Sequence, residues 1–157
     1  MNGAVLQELQ QHWDQLRGMT YDLLDVITPD DLHKKLPFPE SQDIFFQFVC
    51  MAGTQESFIP LIKTGIWEGW ESSLSAEGSD NIRTIRLHLQ AADNELMKAL
   101  ESVDLLQVFD DGGTPMQNYL LLVEHESHHQ GQLINFIYAL GLPIPESWAE
   151  KWALSRD

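Results

Sequence analysis

Only one cysteine, Cys50, occurs among the 157 residues, so no internal disulfide can form and no zinc site built mainly from thiolates can exist. This usage fits a reducing compartment, and a cytoplasmic location is expected. Cations are scarce as well: nine Lys plus Arg face 24 Asp plus Glu, a formal net charge of −15 with the histidines neutral. Such a field repels phosphate backbones and anionic lipid, which argues against nucleic acid and the membrane surface as partners. No apolar run approaches the ~20 residues that cross a bilayer; the patch at Ile44, Phe45 and Phe46 is cut by Gln47. The first segment, Met1 to Gln11, has no basic leader, and its Val5, Leu6 and Leu9 sit at helical spacing, so secretion is not expected. Alternating β-branched stretches, phosphate-cradling glycine loops and internal repeats are missing too, which excludes a parallel sheet and a P-loop.

What remains is an apolar content of 43%, enough for one compact domain over residues 1–157. Leu6, Leu9, Trp13, Leu16, Met19, Leu23 and Val26 recur at steps of three and four and predict a first helix over 5–27. Thr28 and Pro29 cap a short turn, and Pro37 and Pro39 force about ten extended residues. Ser41 can cap a second helix to about Lys63, with Ile44, Phe48, Met51, Gln55, Ile59 and Ile62 along one side. The stretch 64–79 reads as an irregular connection with Trp67 and Trp70 packed back, a candidate cover for a cleft. Ser79 or Asp80 then caps a third helix to about Ser102. Thr114, Pro115 and Gln117 form the N-cap, N1 and N3 of a fourth, which Gly141 and Pro143 end. A last helical segment begins at Glu146. The expected fold is an all-α, four-helix bundle of the up-and-down type with a short C-terminal helical segment.

The informative window is LLVEHESHHQGQLINFIYAL, residues 121–140. Stepping from Leu122 reaches His125, His129, Gln132, Phe136 and Ala139, so two imidazoles and an amide stand where a bundle seam would carry leucines. Each buried polar group without a partner costs roughly 1–3 kcal/mol, and a divalent ion is a natural way to satisfy them. Residues four apart lie about 40° apart around a helix and about 6 Å along it, so His125 and His129 can turn ring nitrogens to one ion. His128, about 100° away from His129, is less well aimed. The competing reading is a pair of satisfied core histidines. The same residues also match H-E-x-x-H, with Glu126 as the base of a metallopeptidase. Without a strand to hold an extended substrate, that peptidase reading is a minor alternative.

HESHHQGQLINFIYALGLPIPESW, residues 125–148, resembles the last bundle helix of the DinB/YfiT-like family in its H-x-x-x-H, its following G-Q and its G-x-x-x-P exit. TPDDLHKKLPFPESQDIFFQFVCMAG, residues 28–53, is similar to the family's first crossover and second helix. The resemblance implies a four-helix bundle with an unusual connection order, commonly a homodimer, and a metal held by three histidines. Two of those positions fall on His125 and His129, and the third on Cys50, where a cysteine stands in place of histidine. Gln130 is a second departure, where relatives often carry arginine. The implied cofactor is a divalent metal, zinc or nickel, and the implied partners are a small-molecule substrate and a low-molecular-weight thiol. The implied function is a metal-dependent transferase or hydrolase in which Glu126 handles the nucleophile's proton and Gln132 holds a ligand or substrate group. The alternative is a non-catalytic bundle, stress-associated or ligand-binding, that has lost full metal binding. His12 and His88 are further candidate donors.

Overall fold

The computed structural model describes residues 2–157; Met1, included in the expected domain, lies outside the described residues. Among these, the helices are α1 (Asn2–Val26), α2 (Ile44–Thr64), α3 (Ser73–Glu77), α4 (Ile82–Glu101), α5 (Pro115–Leu140) and α6 (Glu146–Trp152), with a 3-10 turn at Pro29–His33. No strand forms among the described residues, and the one β-bridge joins Lys35 to Asp43. No helix among them is long and apolar enough to cross a membrane.

Local chemistry fixes the helix ends. Thr114 and Gln117 exchange capping hydrogen bonds at the start of α5, and Gly141 ends it with φ of 65°, as the reciprocal box and left-handed exit require. Two caps differ from expectation. Asp43, not Ser41, caps α2 by accepting from Phe46 N, because Ser41 is committed to the loop: its Oγ accepts from Leu36 N and donates to Gln42 O. Asn81, rather than Ser79 or Asp80, caps α4. The connection after α2 is also less irregular than its glycines suggest, since Ser72 caps the short α3 inside it.

Of the consecutive pairs of long helices, only α2 and α4 pack extensively together. α1 packs against α4 and α5, and so does α2, which puts α1 and α2 at opposite corners. Two apolar clusters fill the core. One joins Leu23, Phe48, Met51, Leu89, Leu133 and Ile137; the other joins Trp13, Ile62, Leu96, Leu100, Tyr119 and Leu122. α1 and α5 run from the second cluster to the first, while α2 and α4 run the other way. The order of directions is therefore up, down, down, up, and the connection after α2 must travel back along the bundle. Trp70 on that connection packs so closely on Gly53 that a Cβ there would lie 2.5 Å from the indole ring.

A polar layer separates the two apolar clusters. Arg17 of α1 donates to both oxygens of Glu126 of α5, at 3.0 and 3.1 Å, and to Gln55 Oε1 of α2 at 2.8 Å. Gln55 Nε2 passes the chain to Asp93 of α4 at 2.9 Å, so each of the four long helices contributes one side chain. Trp13 and Tyr21 also donate to Asp93, and Thr20 donates to Glu126 at 2.8 Å. Burial opposes the charge on Arg17, but Glu126 and Asp93 outweigh it and hold its pKa above the usual value.

Candidate metal centre

On the α2–α5 side of this layer, three donor atoms converge. Cys50, His125 and His129 offer ligand atoms that all lie within 4.8 Å of one another. The two Nε2 atoms are 3.2 Å apart, and Cys50 Sγ is 3.8 Å from His125 Nε2. A tetrahedral zinc, with bonds of about 2.0–2.1 Å to nitrogen and 2.3 Å to sulfur, needs N···N edges near ~3.3 Å and S···N edges near ~3.6 Å. The two edges at His125 Nε2 lie close to these values and the third donor pair is within 4.8 Å, so the cluster can hold a metal ion.

The surroundings prepare these atoms to donate electron pairs. His129 Nδ1 donates to Gln47 Oε1 at 2.7 Å, which fixes the tautomer and leaves the Nε2 lone pair facing the cluster. Burial, then the neighbouring imidazoles, pushes His129 down to about 3; burial, then His128 and Arg17, pushes His125 down to about 4. Both rings are neutral near pH 7. Thr54 Oγ1 sits 3.2 Å from His125 Nε2 and accepts from Trp70 Nε1 at 3.2 Å. His125 Nδ1 is buried with no hydrogen-bond partner. A histidine that merely fills a core normally satisfies its nitrogens; this one leaves Nδ1 without a partner and sets its Nε2 beside Cys50 Sγ, Thr54 Oγ1 and His129 Nε2. The thiol is the one reluctant donor, since burial pushes its pKa up despite a hydrogen bond from Thr54.

The donors open onto a cleft of about 520 Å³ between the loop 36–42, α2 and α5. A larger hollow, about 710 Å³, lies along the connection at Gly69–Ser73 and gathers no comparable donor set among the described residues.

Not every expected residue arrives. Glu126 does not face the donors: it is buried, with both oxygens occupied by Arg17 and one also by Thr20. This corrects the expectation of a catalytic carboxylate and removes the base on which the peptidase reading depends. The seam of α5 is accordingly rotated from the expected stripe. Leu122, His129 and Phe136 of that stripe are buried, joined by Glu126, Gln130, Leu133 and Ile137, while Ala139 is exposed. Gln132 reaches the cleft wall, but its amide contacts His128 Nε2 at 3.0 Å rather than either donor histidine. The role expected of it next to a ligand falls to Gln47. Gln130 is spent on Leu16 O and Thr20 Oγ1 and accepts from Trp152. His12 is exposed on α1, and His88 contacts Ser73 and Glu77 away from the cleft. Trp67 stacks edge-on with Phe58 and does not line the cleft.

Gln47 and Thr54 share the helix face of Cys50, one turn before and after it, and that shared face was the available signal for them. Arg17 left a fainter one, a cation four residues after Trp13 on the core-facing side of α1.

An all-α bundle thus gathers two neutral imidazoles and a thiol, a set that could hold a metal ion, at the wall of an open cleft. Residues 1–149 match the DinB family, and the chain belongs to it. Among curated proteins, none matches the chain.

Proposed function

We propose that the protein is a metal-dependent enzyme of the DinB type, acting on a small molecule as an S-transferase or hydrolase with a low-molecular-weight thiol or water as nucleophile. Cys50, His125 and His129 would hold a divalent ion, zinc or nickel. Such an ion, when bound, supplies Lewis acidity that lowers the pKa of water or a thiol. The chain's own residues do the rest. Gln47 holds the His129 ring in its donating tautomer, and Trp70 orients the Thr54 hydroxyl beside His125. With Glu126 committed to Arg17, proton transfer falls to His128, the imidazole on the cleft wall outside the donor triad. The observation that carries this reading is the convergence of three donors, at spacings suited to a tetrahedral ion, on an open cleft.

Metal analysis of protein purified without a histidine tag tests it. Stoichiometric zinc or nickel is expected, falling after Cys50→Ser and after His125→Ala. The raised thiol pKa of Cys50 favours the rival reading, a bundle that keeps the fold without the ion. Metal-free protein whose stability is unchanged by chelator would establish that rival.

A further inference from the structure

Beside the donor triad the cleft has an apolar wall that none of the three donors uses. Leu36 and Phe38 from the loop, Phe46 from α2 and Phe136 from α5 all line it. Phe38 and Phe46 remain 51% and 42% exposed. A single exposed ring is ordinary on a protein surface, but four apolar side chains from three segments converging on one concavity form a patch of the kind that takes a ligand.

The rings are held where they stand. The loop is closed at its base by the Lys35–Asp43 bridge and by Ile44 N donating to Lys34 O at 3.3 Å. Inside it, Phe38 N donates to Leu36 O at 2.8 Å, Ser41 N donates to Phe38 O at 3.1 Å, and Ser41 Oγ accepts from Leu36 N. Pro37 and Pro39 restrict the backbone on either side of Phe38. Phe46 stands in the first turn of α2, where its own N–H donates to the Asp43 cap. Such preorganisation lowers the ordering cost of binding. Phe46 also precedes Cys50 by four residues, which is about 6 Å along a helix and about 40° around it. A ring seated at Phe46 is therefore about one ring's length from the thiol.

We propose that the cleft takes a substrate with an aryl body: the ring lies against Phe38 and Phe46, and the reacting group, carried one or two bonds from the ring, reaches the donor triad one helical turn further along α2. Contacts between aromatic rings add there to the burial of apolar surface. The proposal deepens the reading above and rests on it only for the reaction. The seat itself is uncharged hydrocarbon, and it holds a ring with or without an ion at the triad.

Metal-free protein titrated with benzyl alcohol, and with methanol as the same alcohol lacking the ring, tests the seat by amide NMR shifts. Benzyl alcohol is expected to give saturable shifts that map to residues 36–50 and 125–136, and methanol none over the same range. Phe38→Ala and Phe46→Ala should each weaken binding at least about fivefold, while Leu121→Ala, an exposed position outside the cleft, should leave it unchanged. Both phenylalanines are surface side chains, so the variants should fold, and unchanged circular dichroism checks that they do. No saturable binding of benzyl alcohol, shifts that fall elsewhere, methanol binding as well, or an affinity unchanged in either phenylalanine variant would each overturn the proposal. Cobalt uptake, read from its visible spectrum, is measured separately. Protein that takes cobalt but does not bind benzyl alcohol sinks this inference alone, and protein that binds the alcohol without cobalt uptake sinks only the metal reading.

Discussion

Two polar clusters lie within one bundle, almost back to back, and they are built on opposite terms. The Arg17–Gln55–Asp93–Glu126 layer is largely buried, joins all four long helices and leaves its carboxylates engaged. The Cys50–His125–His129 cluster uses only α2 and α5, borders a cleft and leaves His125 Nδ1 without a partner. Consecutive residues serve the two: Thr54 and Gln55 on α2, His125 and Glu126 on α5. A polar residue on a core-facing helix is therefore not in itself a sign of chemistry. Charge pairing is what separates the two clusters: Arg17 Nη1, though without a hydrogen bond, lies 3.4 Å from Asp93, whereas His125 Nδ1 has no partner.

The largest effect should come from the charge-paired layer. Glu126→Ala strips the partner from a buried guanidinium and is expected to lower stability by about 3–5 kcal/mol, seen as an earlier midpoint in urea. Zinc affinity of the folded fraction should change less than tenfold. A mutant as stable as the parent would erase the distinction between the clusters. His129→Ala reverses the pattern. If a structural zinc site of four donors is worth ~10–16 kcal/mol, one imidazole accounts for about 3 kcal/mol, and zinc affinity should fall roughly 100-fold or more in competition with a chromophoric chelator. The metal-free fold should survive.

Gln47→Ala is a finer cut, because it removes the hydrogen bond that orients His129 without removing a donor. A loss of ~10–100-fold in zinc affinity is expected, and an unchanged affinity would mean that the ring is held by packing alone. The smallest effect is a count of protons. Both imidazoles are already neutral at pH 7, with values pushed down to about 4 and about 3, whereas the thiol is pushed up. Zinc binding at pH 7 should therefore release about one proton, from Cys50, and affinity should rise with pH. Calorimetry in buffers of different ionisation enthalpy gives the number; release of two or more would show that a histidine, or a water held by the ion, gives up a proton as well.

The legibility of the two clusters differs for a physical reason. His125 and His129 are visible in sequence because a spacing of four puts them on one helix face, and Cys50 followed from a motif match on a second helix. The partnership of Arg17 with Glu126 depends on α1 lying beside α5, which neither periodicity nor capping encodes. It follows from the return path of the connection after α2. That connection's glycines read as irregular backbone, so neither α3 nor the direction of α4 could be extracted from it. Glu126 was misassigned for the same reason: helical spacing gives the angle of a side chain, but not which neighbour stands at that angle.

The indole of Trp70, leaning on Gly53 and bonded to the Thr54 hydroxyl, stands one side chain away from His125. The protein thus carries its own optical reporter. Emission from this tryptophan should register events in the donor cluster without an added label, against a background from the other four.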